Sequence, residues 1–578
     1  MPAPLVHAAY SLGKVFAPLW LALLVGTLGI ALFLFTREQR VGPASLRAPL
    51  RFRRLSKAEF GACASFGVYL LLYLRFMFWG EDFAYHDHFL FTDFTGAGNA
   101  YPFPIWPTEG RFFPLAYQEY NLLGHLSASA GCYLALTAVQ LVISLACLFS
   151  VLRAYPVGLR LFALGVLTLA PGFAASFADL TYPERNIVFW ICVLIYAVDR
   201  YDQKATRSWL VVALISAHFA LYYKEATVVL IGAFALMRLL LTERDRRAFA
   251  LFGWQAPPAP ALELGMLTAC FGFALLLGLT LAARGESAFL RQNAEGVIAV
   301  VPRYLVTETL LTVFGVTFAL RLLQIWRGNA RFDRVWDSLA IAGLLHALAI
   351  ASVGMFADYY MAPAEAVAAV TLLRTLHAWW LERPSVRPWL TSLATATTVL
   401  SVLFGTFRLV ERKSVVRSTV ALGAFIAEHV RNTGGHDRLY FPVAEDWRTM
   451  NLLAFLRYRG LPVLTAEGTH DSEAGIEVVG PQPFDGDRCV SYRPYVCRHQ
   501  SAPRPGDLVV FLPEDQQQQQ AATASALPNS AEMLFESPAL AFPEPLYRLV
   551  TELYRVTPVL RGAPLPAERS KARVERVN

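Results

Sequence analysis

Long apolar runs recur through the first 405 residues, separated by shorter polar stretches. A run of about 20 apolar residues is long enough to cross a lipid bilayer as a helix. Runs that reach or approach this length lie near residues 15–36, 60–79, 127–151, 158–178, 187–199, 208–222, 225–241, 261–283, 305–325, 337–356, 363–380 and 388–405. The pattern predicts a mainly α, polytopic membrane helical bundle of about 12 spans, whose first run is too long for a signal peptide and stays as a span.

The pattern changes after the last of these runs. Residues 439–443 and 507–513 are short apolar stretches that include a proline, which predicts buried strands. Residues 414–433 and 444–459 have the apolar spacing of helices. Together these elements predict a C-terminal soluble α/β domain over residues 406–555.

Composition supports a membrane protein. Apolar residues make up 55% of the chain and charged residues only 16%, whereas about 25% of an ordinary soluble protein is charged. The mean hydropathy is +0.41. The net charge of +7 is more typical of cytoplasmic loops in a membrane protein than of a nucleic-acid surface, so we expect no nucleic-acid partner.

Basic residues predict the orientation of the bundle. The connection 37–59 carries seven lysines and arginines, whereas the long connection 80–126 carries only Arg111. The positive-inside rule places the first connection in the cytoplasm and the second outside. An even number of spans then places both termini outside, including a basic tail over 556–578 that we expect to be disordered.

Cysteine usage agrees with this orientation. Cys489 and Cys497 flank a short polar stretch of the C-terminal domain, whereas the other cysteines lie in apolar runs. The short separation predicts a disulfide between these two residues, which requires an oxidising compartment. A zinc site is the weaker interpretation, because no cluster of further cysteine or histidine ligands accompanies the pair.

Candidate chemistry begins in the connection 80–126, directly after the second run. Acids and histidines stand there among aromatic residues: Glu81, Asp82, His86, Asp87 and His88, with Glu109 further on. A partly desolvated carboxylate has a raised proton affinity and can act as a base near neutral pH, and Asp87 between two histidines is the favoured candidate. The His-Asp-His run also permits a divalent metal, although neighbouring residues of an extended segment point to opposite faces. The alternative is a solvated surface loop.

Further polar clusters lie on the same predicted side of the membrane. They are Tyr182, Glu184 and Arg185; Tyr222, Tyr223, Lys224 and Glu225; Tyr359 and Tyr360; and Arg75 inside the second run. Charged groups at such depth are costly and indicate function by default. Structural alternatives stay open, namely a Lys224–Glu225 ion pair, an interfacial Arg185 and a belt of tyrosines. Their convergence on one face suits a lipid-linked anionic substrate, whose phosphate the cations would hold.

These residues resemble those of the GT-C class of integral-membrane glycosyltransferases, which use polyprenyl-phosphate sugars as donors. The class places an acidic motif in its first large outer loop, as Glu81-Asp82 to Asp87 would be, and the following Gly110-Arg111 is similar to that of O-antigen glucosyltransferases. Lys224-Glu225 and the Tyr359-Tyr360 opening also resemble the class. The resemblance covers a transmembrane catalytic domain over residues 60–405, so the span and basic loop within 1–59 are an addition.

The resemblance implies an inverting transfer of a hexose or pentose at the outer face of a bacterial inner membrane. Asp87 would be the base, or Asp82 if the register differs, and Lys224, Arg185, Arg75 and Arg111 would bind the donor phosphate. The substrate pocket would be lined by Glu81, His86, His88, Glu109, Tyr182, Glu184, Tyr222, Tyr223, Glu225, Tyr359 and Tyr360. The donor would be a polyprenyl-phosphate sugar and the acceptor a periplasmic glycan, lipid or protein, with membrane lipids around the bundle. No cofactor is certain, and a divalent metal stays possible.

Two other functions remain open. An O-antigen polymerase or ligase acts on a lipid diphosphate and uses arginines of a late outer loop, for which residues 284–304 offer Arg284, Arg291 and Arg303. A lipid-linked saccharide transporter or flippase is the other alternative. Transporters tend to have inverted repeats and broken helices at mid-membrane, and neither is evident in the sequence.

Overall fold

Helices dominate the first 433 residues of a computed structural model of the chain, and a β-sheet follows them. The structure describes residues 3–41, 56–78, 103–106, 111–127, 130–180, 182–240, 260–282, 296–354, 356–382, 384–433, 438–442, 452–453, 455–456, 461, 477–480, 499–500, 502–512, 531–537 and 573–577.

The helical part carries one small hairpin. Its first elements are α1 (Ala3–Val41), α2 (Lys57–Phe78), β1 (Ile105–Trp106), β2 (Arg111–Phe112), α3 (Gln118–Leu126), α4 (Ala130–Val151), α5 (Val157–Thr168), α6 (Pro171–Ala178), α7 (Glu184–Gln203) and α8 (Arg207–Tyr223). Its later elements are α9 (Thr227–Leu240), α10 (Ala261–Ala282), α11 (Val297–Thr307), α12 (Thr309–Trp326), α13 (Trp336–Ser352), a 3-10 turn (Asp358–Met361), α14 (Ala362–Glu382), a second 3-10 turn (Pro384–Val386) and α15 (Arg387–Thr433). Helix α7 packs against α4 and α8, and α9 packs against α10 and α13.

Six helical segments in the described part of the chain are long and apolar enough to cross a membrane. They lie at Leu12–Glu38, Lys57–Met77, Gly131–Val151, Ala261–Leu281, Thr309–Trp326 and Pro384–Thr433. Helices α5 and α6 add a seventh if the bent pair counts as one span, and α9, α11 and α13 are shorter apolar helices. The chain is therefore mainly helical with several candidate spans, and the number of about 12 stays a prediction.

The apolar run predicted over 158–178 is two helices that meet at 66°. Pro171 begins the second of them, a position where its missing N–H costs nothing. Thr168, which ends the first, is held by α2, because the Tyr73 hydroxyl donates to its carbonyl at 2.8 Å and Tyr69 bonds its hydroxyl at 2.7 Å. The bend redirects α6 towards the segment that contains Tyr182 and Glu184.

Helix α15 crosses the predicted domain boundary at 405/406. It is a single helix of 47 residues, and Gly405 lets it pack directly on the α5–α6 bend, since a Cβ there would lie 1.8 Å from the Leu169 carbonyl oxygen. Its later turns present Ile426 and Val430 to the apolar core of the sheet. The predicted helix over 414–433 is thus the end of a longer helix that links the bundle to the sheet.

The sheet confirms the two predicted strands. Strands β3 (Arg438–Tyr440), β4 (Glu477–Gly480), β5 (His499–Gln500), β6 (Leu508–Phe511), β7 (Ala531–Glu536) and β8 (Arg573–Val577) are arranged in the order β5-β4-β3-β6-β8-β7. The first four strands in this order are parallel, and β8 pairs antiparallel with both β6 and β7.

The prediction of a disordered basic tail is wrong for its last residues. Residues 573–577 form β8, and Val574 is fully buried between the neighbouring strands. The prediction depended on the basic composition of the segment, and no regular alternation of apolar residues over Arg573–Val577 indicates a strand.

Candidate functional site

The turn between α8 and α9 directs the Lys224 and Glu225 side chains to different partners. Lys224 has an extended backbone (φ −164°, ψ 141°), so it and the following residue point in different directions. The Lys224 Nζ lies 3.4 Å from the Glu184 carboxylate, at the start of α7. The Glu225 carboxylate instead accepts from the Arg111 Nε at 3.1 Å and from the Phe112 backbone N–H at 2.7 Å. The alternative of a Lys224–Glu225 ion pair is therefore wrong.

The end of the predicted outer loop reaches this turn through the β1–β2 hairpin. Besides Arg111, the hairpin brings the Phe113 ring to 5.2 Å from the Lys224 Nζ. The Leu115 backbone N–H then donates to the Tyr222 carbonyl at 3.0 Å. Tyr117 follows in the left-handed region (φ 70°), which few side chains favour, and turns the chain sharply into α3.

A buried hydrogen-bond network centred on Arg185 lies beside the turn between α8 and α9. Arg185 is fully buried, and its guanidinium donates to the Glu119 carboxylate at 3.1 Å, the Tyr120 hydroxyl at 2.9 Å and the Thr137 hydroxyl at 2.9 Å. Glu119 also accepts from the Tyr223 hydroxyl at 3.4 Å. The Nη1 and Nη2 atoms of Arg185 are therefore bonded inside the protein, and its role as a phosphate ligand stays a prediction.

Three tyrosines form a continuous aromatic surface next to Lys224. The Tyr182 and Tyr359 rings stack at 3.8 Å between centroids, and Tyr359 contacts Tyr360 at 4.5 Å. Tyr360 in turn lies 4.7 Å from the Lys224 Nζ. The turn that carries Tyr359 is held by Ser176 of α6, whose hydroxyl donates to the Tyr359 carbonyl at 3.2 Å. The tyrosines therefore link segments that are more than 100 residues apart in sequence.

Helix α15 contributes two arginines at the other end of this surface. The Arg412 Nη1 donates to the Tyr182 hydroxyl at 2.8 Å and lies 3.7 Å from Asp179. Arg412 and Arg408 both approach Asp358, at 3.5 Å and 3.2 Å respectively. These residues were absent from the predicted site because the last apolar run was taken to end at residue 405.

Electrostatics keep the turn charged at neutral pH. Burial alone would lower the pKa of Lys224, but Glu184 and the other acidic groups nearby outweigh burial and raise it. Burial would likewise raise the pKa of Glu225, but Arg111, Lys224 and the Phe112 N–H outweigh burial and lower it. Both groups are therefore ionised across the physiological range.

The lowered pKa of Glu225 predicts an acid-dependent loss of stability. A group of this kind stabilises the fold above its ordinary value of 4.5, and the contribution is lost as pH falls through its lower value in the folded protein. We expect Glu225→Gln to cost about 1–2 kcal/mol near neutral pH, and wild type and variant to converge once the pH falls below the lowered pKa of Glu225. Melting followed by intrinsic fluorescence across this pH range measures the effect. A constant difference at every pH would show that the Glu225 charge contributes nothing.

The structure brings most of the predicted site residues together. Lys224, Glu184, Arg185, Arg111, Glu225, Tyr182, Tyr223, Tyr359 and Tyr360 belong to the connected cluster described above. Tyr222 does not line a pocket, since it is fully buried among Phe16, Phe112 and Phe273. Arg75 is exposed on α2.

Several predictions fall outside the described residues. They concern Glu81, Asp82, His86, Asp87, His88 and Glu109, and the disulfide of Cys489 with Cys497. Within the described residues, no group of three or more histidine, cysteine, aspartate and glutamate side chains is arranged to hold a metal ion.

Comparison with protein-family models and with curated proteins gives no match. Among solved structures, the chain is similar to the crystal structure of ArnT from Cupriavidus metallidurans bound to undecaprenyl phosphate. The identity is 13%, the match covers 82% of this chain and 96% of that chain, and the TM-score is 0.45. It is also similar to the Archaeoglobus fulgidus oligosaccharyltransferase in complex with zinc and sulfate, at 11% identity over 68% of this chain and 61% of that chain, with a TM-score of 0.41.

Proposed function

We propose that this protein is a membrane glycosyltransferase that moves a sugar from a polyprenyl-phosphate donor to an acceptor. The Lys224 ammonium group is the observation that carries the proposal. It lies over the rings of Phe113 and Tyr360, and its side chain is 12% exposed. Within the described part of the chain its ion-pair partner is Glu184 at 3.4 Å, whose carboxylate accepts from one of its three N–H donors. A cation held in this way is suited to bind a phosphate.

The tyrosine surface supplies the second part of the site. Tyr182, Tyr359 and Tyr360 combine apolar ring faces with polar hydroxyl groups, which suits a sugar ring joined to an isoprenoid chain. The surface begins at Lys224 and continues to Arg412, so a bound donor phosphate and its sugar would lie along one continuous wall.

The proposed reaction is a direct displacement. Asp87 takes the proton of the acceptor hydroxyl, and the resulting oxygen attacks the anomeric carbon of the donor sugar. The bond between that carbon and the phosphate oxygen breaks, and polyprenyl phosphate leaves with the bonding electrons. The attack inverts the anomeric centre, and Lys224 stabilises the charge that grows on the leaving phosphate. Asp82 is the alternative base.

Two arginines have supporting roles in this proposal. Arg111 fixes the β1–β2 hairpin to Glu225, which keeps Phe113 on the Lys224 ammonium group. Arg185 binds Glu119, which fixes the first turn of α7, where Glu184 also lies. The Arg111–Glu225 and Arg185–Glu119 ion pairs form without a bound donor, so they organise the site before the donor binds.

We place the site at the outer face of a bacterial inner membrane, on the distribution of basic residues. Helix α15 passes the site at Arg408 and Arg412 and then continues to the sheet. The sheet and the site therefore lie towards the same end of the bundle, which supports a periplasmic C-terminal domain. The acceptor would be a glycan, lipid or protein of that compartment.

One observation favours the polymerase or ligase alternative. The Arg303 guanidinium lies 4.2 Å from the Phe356 ring centre, and Arg408 lies 5.8 Å from the same ring. Phe356 directly precedes the segment that carries Asp358 and Tyr359. Arginines gathered there would suit the second phosphate of a lipid diphosphate.

The test uses purified protein in lipid nanodiscs, without a membrane potential or an ion gradient. The protein is supplied with undecaprenyl-phosphate hexose or pentose and an extract of bacterial envelope acceptors, and release of undecaprenyl phosphate is measured. We expect release at a rate that Lys204→Met, which changes an exposed cation before α8, leaves unaltered. Turnover of an undecaprenyl-diphosphate saccharide alone would favour the polymerase or ligase. Absence of turnover with every donor would contradict both enzymes.

A further inference from the structure

Two buried carboxyl groups that the proposed reaction does not use lie against each other near Asp358. Glu308 stands between α11 and α12 and is 1% exposed, and Glu365 in the first turn of α14 is fully buried. Their side chains are in hydrogen-bonding contact. Two buried carboxyl groups that share a hydrogen bond are not both ionised, because repulsion and desolvation act together.

The hydrogen bonds show which group keeps the proton. Glu365 accepts from the backbone N–H groups of Gly172, at 3.3 Å, and Phe173. These donors belong to the first turn of α6, where a negative charge is favoured. Both oxygens of Glu308 are buried, and no described residue donates a hydrogen bond to them. Glu308 is therefore the protonated partner, and its O–H group donates to Glu365.

Charged and titratable groups from four elements face this pair. Asp358 comes from the 3-10 turn, Arg408 from α15, Tyr304 from α11 and Tyr73 from α2. Of these, Arg408 carries a positive charge, and its Nε is bonded to Asp358 at 3.2 Å. A second negative charge on the carboxyl pair would compete with Asp358 for this guanidinium.

We propose that Glu308 and Glu365 hold one shared proton, which acts as a pH-sensitive lock on the turn that carries Tyr359 and Tyr360. With the proton present, Glu308 joins the α11–α12 connection to α14 and α6, and Arg408 stays on Asp358. Loss of the proton at alkaline pH makes the two carboxylates repel and draws Arg408 away from Asp358. The turn then loosens. This inference stands on the buried pair and does not depend on sugar transfer.

The direct test is infrared spectroscopy of the full-length protein in detergent. Wild type is expected to show the C=O stretch of a protonated carboxyl group at neutral pH, and alkaline titration should remove it. Glu308→Gln keeps the size and hydrogen-bonding ability of the side chain and should lack this signal at neutral and alkaline pH. Glu382→Gln, an exposed position on the same helix as Glu365, should retain it.

Thermal stability gives a second readout. An acid that stays protonated in the folded protein above its ordinary pKa makes stability fall as pH rises from that ordinary value to the pKa of the pair. The melting temperature of wild type should therefore fall relative to Glu308→Gln by several degrees between about pH 5 and about pH 9.

Each outcome decides the proposal. A neutral-pH carboxyl signal that Glu308→Gln leaves unchanged would overturn it, and so would its absence from wild type. Should Glu308→Gln fail to fold, the titration of the wild-type signal alone supports or contradicts the lock. Neither readout uses a sugar donor, so a failed transfer assay leaves this test intact.

Discussion

Replacement of Lys224 by methionine is expected to lower the rate of sugar transfer by about 10²–10³-fold, equivalent to about 2.7–4 kcal/mol of transition-state stabilisation. Methionine keeps an unbranched apolar stem against Phe113 and Tyr360 and removes only the charge that faces the leaving phosphate. The measurement is kcat for release of undecaprenyl phosphate by reconstituted protein at saturating donor.

The control for this prediction addresses Glu184. This carboxylate is 1% exposed, so removal of Lys224 leaves it buried without its counter-charge, which destabilises the fold. The double variant Lys224→Met with Glu184→Gln removes both charges and should recover the melting temperature but not the activity. Near wild-type turnover by a folded double variant would exclude Lys224 from phosphate binding. Lys224→Arg should retain part of the rate, because a guanidinium also binds phosphate.

The convergence of the site could be predicted from the sequence. Lys224, Glu184 and Tyr359 come from three separate connections, and the positive-inside rule alone assigned those connections to one face. The structure links the same three through the contact of Lys224 with Glu184 and the Tyr359–Tyr360 pair. The distribution of basic residues predicts that these connections lie on the same face of the membrane, but it does not predict the distances between their side chains.

The pairing of individual side chains could not be predicted in the same way. Lys224 and Glu225 are neighbours in sequence, yet the extended backbone sends them to different partners, Glu184 and Arg111. Tyr222 and Tyr223 similarly separate, since Tyr222 enters the apolar core while Tyr223 bonds Glu119. The difference depends on where α8 ends, which sequence patterns place only to within a few residues.

The contribution of α15 was missed because hydropathy falls before the helix ends. Arg408 and Arg412 lie four residues apart, on one face of a helix, directly after the last apolar run. No proline interrupts residues 389–433, and a helix without a break was the available signal for one continuous element. Charged residues after an apolar run are also typical of the start of a soluble domain, so the sequence pattern predicts a boundary where the helix continues.

The second large prediction concerns Asp87, whose segment lies between α2 and the β1–β2 hairpin in sequence. Helix α2 leads into this segment at Phe78, one turn beyond Tyr73, which bonds the α5–α6 bend. The described chain resumes at Phe103, whose ring packs on Phe16 at 5.1 Å, and the β1–β2 hairpin follows. Residues 79–102 therefore precede the β1–β2 hairpin, whose Arg111 and Phe113 contact Glu225 and Lys224, which supports a base from this segment.

Asp87→Asn is expected to abolish transfer, with a loss of at least about 10²–10⁴-fold, because an amide of the same shape cannot accept the proton of the acceptor hydroxyl. Lys224 is unchanged in this variant, so binding of undecaprenyl phosphate, measured by native mass spectrometry, should stay near the wild-type level. Asp82→Asn is the matched control, since it removes a neighbouring charge from the same segment. If Asp82→Asn and Asp87→Asn both turn over at the wild-type rate, neither acid is the base. If instead Asp82→Asn alone abolishes turnover, the base is Asp82, and the acidic motif is displaced by five residues from the position proposed.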